Sequence, residues 1–169
     1  MIIPAIEKRT SVRHYDPRPV EPDKLARVLE AARLAPTAKN RQEWRLLLAV
    51  DPAVRQRLID QAVPHQPFLR EAPVLIAACA LDPSYVMRCG HPSHLLDLAI
   101  VLDHLSLQAA EEGLGTCWIG SFDEAPARAA LGIPDPVRIV QLMSLGYPAG
   151  PQGRRPRKPL AELVVTDRW

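Results

Sequence analysis

Gly113-Leu114-Gly115-Thr116-Cys117-Trp118-Ile119-Gly120-Ser121-Phe122-Asp123 compresses a helix stop, a short strand and a tight turn into one stretch. Upstream of it, Leu95, Leu98, Leu102, Leu105 and Ala109 recur at three- and four-residue intervals, which predicts a helix over residues 93–112. Its other faces are also apolar, so the reading is a central helix covered on several sides. Gly113 and Gly115 are accounted for by termination of that helix and a turn. Gly120 is not, and a glycine there lets a backbone approach a ligand closely. Downstream, Glu124–Leu131 reads as a helix and residues 139–145 as a strand.

Working back toward the N-terminus, Val74–Ala80 is an unbroken apolar run of strand length, predicted to be buried on both faces. Residues 46–50 read as a strand, and residues 54–62 and 2–8 as helices. Pro22 and Asp23 open a helix whose Leu25, Val28, Leu29 and Ala32 share a face, and Pro36 closes it. The run 162–166 reads as a last strand. Short strands alternating loosely with helices favour an α/β or α+β layered sheet over an all-helical bundle.

The chain has 169 residues, enough for one domain with a substantial core. Its net charge of +2 is too small to imply nucleic-acid binding by itself. No apolar run is long enough to span a bilayer, and Met1-Ile2-Ile3-Pro4 lacks the regions of a signal peptide. The expectation is a cytoplasmic protein with Cys79, Cys89 and Cys117 reduced. Cys79, Cys89, His91 and His94 match no standard zinc spacing, so no metal is expected. No Gly-x-Gly-x-x-Gly loop, Walker loop or Gly-x-Ser-x-Gly elbow is present.

Several polar segments read two ways. In Arg9-Thr10-Ser11-Val12-Arg13, alternate residues of an extended chain project to one side, so Arg9, Ser11 and Arg13 make either a phosphate clamp or a solvated basic turn. Ala35-Pro36-Thr37-Ala38-Lys39-Asn40-Arg41-Gln42-Glu43-Trp44 offers amides and a ring that could edge a planar ligand, or else simply connects helix to strand. Arg154-Arg155-Pro156-Arg157-Lys158 is a second phosphate candidate or a solvated surface run.

Taken in order, these segments resemble the nitroreductase family of FMN enzymes from end to end. The matching pieces are Arg9-Thr10-Ser11-Val12-Arg13-His14-Tyr15 with Pro19-Val20, residues 29–37 with Asn40, Gln42 and Trp44, the Gly113 to Phe122 signature, and Leu145-Gly146-Tyr147-Pro148 followed by Arg157-Lys158-Pro159-Leu160. Thr10 stands where the family has a second Arg, Glu43 where it has Pro, and His65 before Gln66 where it has Asn. Residues 84–93 are brief where relatives carry a helical excursion over the flavin.

The resemblance implies an α+β fold, with a mixed central sheet flanked by helices, and an intertwined homodimer. In it residues 150–169 or so reach the partner subunit, and the FMN sites lie at the interface. It implies that Arg9, Ser11, Arg155 and Arg157 hold the FMN phosphate, and that Thr10 also binds the cofactor. Arg13 would reach the ribityl chain or pyrimidine carbonyl, with Gln66 a donor to the pyrimidine edge. Pro36, Thr37 and Asn40 would contact FMN, the latter two from the partner. Trp118, Ile119 and Gly120 would lie against the ring, the Gly120 backbone N–H facing flavin N5. NADH or NADPH would deliver hydride, and a nitroaromatic or quinone-like small molecule would take it in ping-pong fashion; no side chain need be a nucleophile, and neither nucleic acid nor membrane is an expected partner. The same scaffold supports dehalogenation and flavin-fragmenting chemistry, and a non-catalytic FMN-binding or redox-sensing module is the alternative from another class.

Overall fold

All seven residues of the strand Val74–Ala80 are buried, and the molecule is layered around it. The computed structural model describes residues 1–153 and 155–169. In chain order the elements are α1 (Pro4–Lys8), β1 (Tyr15–Asp16), α2 (Pro22–Arg33), β2 (Trp44–Ala49), α3 (Pro52–Ala62), β3 (Val74–Ala80), α4 (Ser93–Glu111), β4 (Gly115–Ile119), α5 (Glu124–Leu131) and β5 (Arg138–Pro148). Short 3-10 turns fall at Ala38–Asn40, Pro67–Arg70 and Leu160–Glu162.

Side chains of a strand alternate between faces. Leu75, Ala77 and Cys79 of β3 join Leu58 and Ile59 of α3 and Ala127 and Ala130 of α5 in one core. Val74, Ile76, Ala78 and Ala80 join Val28 and Ala32 of α2 and Leu98, Leu102 and Leu105 of α4 in the other. The sheet is thus the middle of three layers. Each fully buried Leu contributes about 1.5–3 kcal/mol relative to exposure. Helix starts follow local chemistry: Pro52 takes the first turn of α3, and the Asp51 carboxylate accepts the Ala53 and Val54 amides.

β5 is the hub. It pairs with β3 on one side, and with β4 and then β1 along its other side. β2 completes the sheet against β3. Every named strand pair is antiparallel, so among the described residues the parallel component of the expected mixed sheet is reduced to a single isolated bridge, Ser11 to Thr116. The layered α+β arrangement is as expected.

Three sequence expectations change. The run 162–166 forms no strand among the described residues: a 3-10 turn at Leu160–Glu162 leads into an exposed tail, because no neighbouring strand offers its amides a ladder. α4 is not covered on several sides within the chain: Leu95, Leu96 and Ile100 are exposed. Gly113 does end α4, with φ at +75°, whereas Gly115 lies inside β4 and serves close packing rather than a turn.

Candidate active site

The site begins with how residues 9–13 are fixed. The Val12 amide donates to the Thr116 carbonyl of β4 at 2.9 Å. The Tyr15 hydroxyl donates to the Val12 carbonyl at 3.0 Å and shares a 2.7 Å hydrogen bond with the fully buried Ser144 of β5. Val12 itself is buried. A Cβ at Gly115 would stand 2.3 Å from Val12 Cγ2 and 2.8 Å from its Cβ, so only a glycine lets this segment lie against β4. With Val12 turned inward, the extended backbone sends Ser11 and Arg13 the other way.

That outward side forms a cleft of about 590 Å³. Arg9, Thr10, Ser11 and Arg13 line it from the N-terminal segment, and Arg155 and Arg157 return from the tail to face them. Two stretches remote in sequence therefore converge on one cleft. Among the described lining residues Glu7 is the one carboxylate against four guanidinium groups. Elsewhere Arg27, Arg33, Arg41, Arg70, Arg128 and Arg138 are each held by a carboxylate. Arg9, Arg13, Arg155 and Arg157 enter no ion pair among the described residues. The Arg157 guanidinium is steadied by the Arg155 and Pro156 carbonyls. Unneutralised, forked donors beside a hydroxyl suit a phosphate monoester, which carries nearly two negative charges at neutral pH. On this chemistry the residues fit FMN. Arg154, named with the tail, lies outside the described residues.

The remaining candidates do not line this cleft. Pro36, Thr37 and Asn40 lie between α2 and β2, where the Ala38 amide donates to Asp97 of α4 and the Thr37 hydroxyl accepts from the Gln42 amide. Asn40 has a left-handed backbone, φ +54°. Gln66 sits after α3, its amide donating to the Val63 carbonyl. In β4, the Ile119 side chain is buried in the core shared with α3 and α5, leaving only its backbone to meet a ligand. Trp118 is half-buried toward α2 and α4. Gly120 is exposed, and a Cβ there would meet nothing nearer than the Gln141 amide at 3.9 Å. The chain's own packing thus gives no reason for a glycine at this position.

Sequence reasoning missed Ile2, Ile6, Gln152 and Gly153, which also line the cleft. None belongs to a quoted motif; the exposed apolar residues Ile2 and Ile3 before α1 and Ile6 within it were the available signal.

The chain matches the family model for the nitroreductase family over residues 6–64 and 60–147. It is 31% identical to an NADH dehydrogenase of Thermus thermophilus, over 94% of this chain and 92% of that one. It is 27% identical to an FMN reductase [NAD(P)H] of Bacillus subtilis, over 94% of this chain and 70% of that one. The crystal structure of a nitroreductase family protein from Clostridium difficile 630 superposes with a TM-score of 0.87 and 30% identity, over 98% of this chain and 97% of that one. With the family model covering most of its length and the same fold in a relative of nearly equal size, the chain belongs to the nitroreductase family.

Proposed function

We propose that this chain, an FMN-dependent NAD(P)H oxidoreductase, passes hydride to an electron-poor small molecule of the nitroaromatic or quinone class in two separate half-reactions. The observation that carries the reading is the convergence of Arg9, Ser11, Arg13, Arg155 and Arg157 on one cleft, where none of the four guanidinium groups enters an ion pair among the described residues. When bound, FMN supplies the redox chemistry, accepting hydride from the reduced nicotinamide and yielding it to the acceptor.

The chain's residues do the rest. Arg9, Ser11, Arg155 and Arg157, with Thr10, hold the phosphate. Arg13, one residue beyond buried Val12, places a fixed positive charge further along the cofactor, where it favours the more negative reduced form. The exposed Gly120 leaves its backbone N–H open to the flavin ring, beside the backbones of Trp118 and Ile119, and Gln66 is a donor to its edge. Thr37 and Asn40, away from the cleft of their own chain, serve the site of a second copy, and Pro36 beside them also contacts the cofactor. The homodimer this requires is supported by the apolar side chains left exposed: Ile2, Ile3 and Ile6 near α1, Leu95, Leu96 and Ile100 on α4, and Leu160, Leu163, Val164 and Val165 in the tail. Residues 150–169 are the arm that reaches the partner.

The test is an Arg9→Ala/Arg157→Ala variant. It should emerge colourless, having lost FMN, with an unchanged far-ultraviolet circular dichroism spectrum. Retention of FMN at wild-type occupancy would overturn the phosphate assignment. For the wild type, initial rates against NAD(P)H at several quinone concentrations should give parallel reciprocal lines; intersecting lines would mean both substrates bind together.

A further inference from the structure

Two-electron reduction of a quinone-like acceptor adds one hydride and one proton, and a flavin oxidoreductase must obtain the proton somewhere. His65 Nε2 lies 2.9 Å from Ser121 Oγ. Ser121 directly follows Gly120, so the pair borders the position assigned to flavin N5. Both side chains are exposed, and the space beside Gly120 is open as far as the Gln141 amide.

The two loops carrying the pair are fixed by backbone bonds. The Asp123 amide donates to the Ala62 carbonyl at the end of α3, which ties the loop after β4 to the loop holding His65. The Gln66 amide donates to the Val63 carbonyl and closes the turn around His65. The alignment therefore exists before any ligand arrives, as proton transfer requires.

We propose that His65 and Ser121 form a proton-delivery pair for the acceptor: Ser121 touches the acceptor oxygen, and His65 acts through it. In the step, the Ser121 O–H bond breaks as a new O–H bond forms on the acceptor. The His65 Nε2–H proton moves to Ser121 Oγ. The imidazolium becomes neutral and recovers its proton from solvent. The hydride that completes the reduction comes from the reduced cofactor. Imidazole suits the task because it exchanges protons readily near neutral pH.

The charged groups on the surrounding elements are largely satisfied by one another. Asp60 of α3 pairs with Arg70 of the Pro67–Arg70 turn at 2.7 Å. Arg57 of α3 donates to the Ala130 carbonyl of α5. Glu124 of α5 is held by Arg138 of β5. Asp123, on the loop after Ser121, stands at the N-terminus of α5 as its N-cap residue.

The proposal rests on the placement of FMN against Gly120, and the experiment separates the two. FMN-loaded protein is reduced anaerobically and mixed with 1,4-benzoquinone or, separately, ferricyanide, whose one-electron reduction takes up no proton. For wild type, quinone-driven reoxidation should slow as pH rises from 5 to 9. In His65→Asn and Ser121→Ala it should be about 10²-fold slower at low pH and insensitive to pH, as expected for loss of a general acid. Ser121→Thr, which keeps the hydroxyl, should recover most of the rate, and ferricyanide rates should be alike in all four proteins. In the oxidised protein at rest, the NMR titration midpoint of the His65 imidazole should move in Ser121→Ala and return in Ser121→Thr. Wild-type pH profiles in both variants, or an unmoved titration, would overturn the pair while leaving FMN placement intact. Protein that binds no FMN would instead overturn the placement and the pair with it.

Discussion

Replacing Gly115 by Ala should weaken cofactor binding without touching a cofactor ligand. The added methyl would lie 2.3 Å from Val12 Cγ2, 2.8 Å from Val12 Cβ and 3.2 Å from Pro148 Cγ. Carbon atoms rest about 3.5–4.0 Å apart, so the Val12 side must retreat by more than an ångström. The Val12 backbone is held in place by its 2.9 Å bond to Thr116 and by the Tyr15 hydroxyl, and it is flanked by Ser11 and Arg13. Overpacking of this kind costs about 1–3 kcal/mol. Expressed in the segment proposed to bind phosphate, that is a loss of roughly 5- to 150-fold in FMN affinity. Quenching of FMN fluorescence on titration reads the Kd, and calorimetric melting of apoprotein reads stability. A Gly115→Ala/Val12→Ala double variant removes the closest clash and should regain part of the affinity. Wild-type Kd and Tm in Gly115→Ala would refute the view that β4 sets the position of residues 9–13.

Burial raises the Cys79 thiol to about 11 and also raises Cys117, while Cys89 is exposed. A thiol reagent at pH 8 should therefore modify one cysteine rapidly in native protein, and all three only after denaturation; rapid native reaction of a second thiol would contradict the burial of β3 and β4. Tyr15→Phe should lower stability by about 1–3 kcal/mol in chemical denaturation, since it strands the Ser144 hydroxyl and the Val12 carbonyl away from water. A change below about 0.5 kcal/mol would mean those groups find other partners.

Much of this was written locally. Val74–Ala80 and Glu124–Leu131 were located to the residue, because one is uninterrupted apolar sequence and the other is bounded by Asp123 and Gly132. β1 escaped detection: two residues have no period, and Tyr15 and Asp16 are strand only because β5 runs on to Pro148 beside them. The converse error was the tail, where Val164, Val165 and Thr166 have strand-forming side chains but no strand partner among the described residues. At the site, the Arg and Ser residues of the cleft were legible from alternation and motif order. The role of Gly115 was not, because a close approach between residues remote in sequence leaves no local mark. The same holds for the His65 to Ser121 contact, which depends on how two loops are tied.

The position of β5 also sets a schedule for biosynthesis. β3 is complete once residue 80 has been made, but its second neighbour, β5, is finished only at residue 148. At about 5–20 residues per second, a nascent chain spends roughly 3–14 s with one edge of Val-Leu-Ile-Ala-Ala-Cys-Ala unpaired. β1 and β4 wait for the same strand. During those seconds an apolar, uncharged ribbon is available to other chains, so yield in a cell should depend on translation speed and chaperone supply more than on the stability of the finished protein.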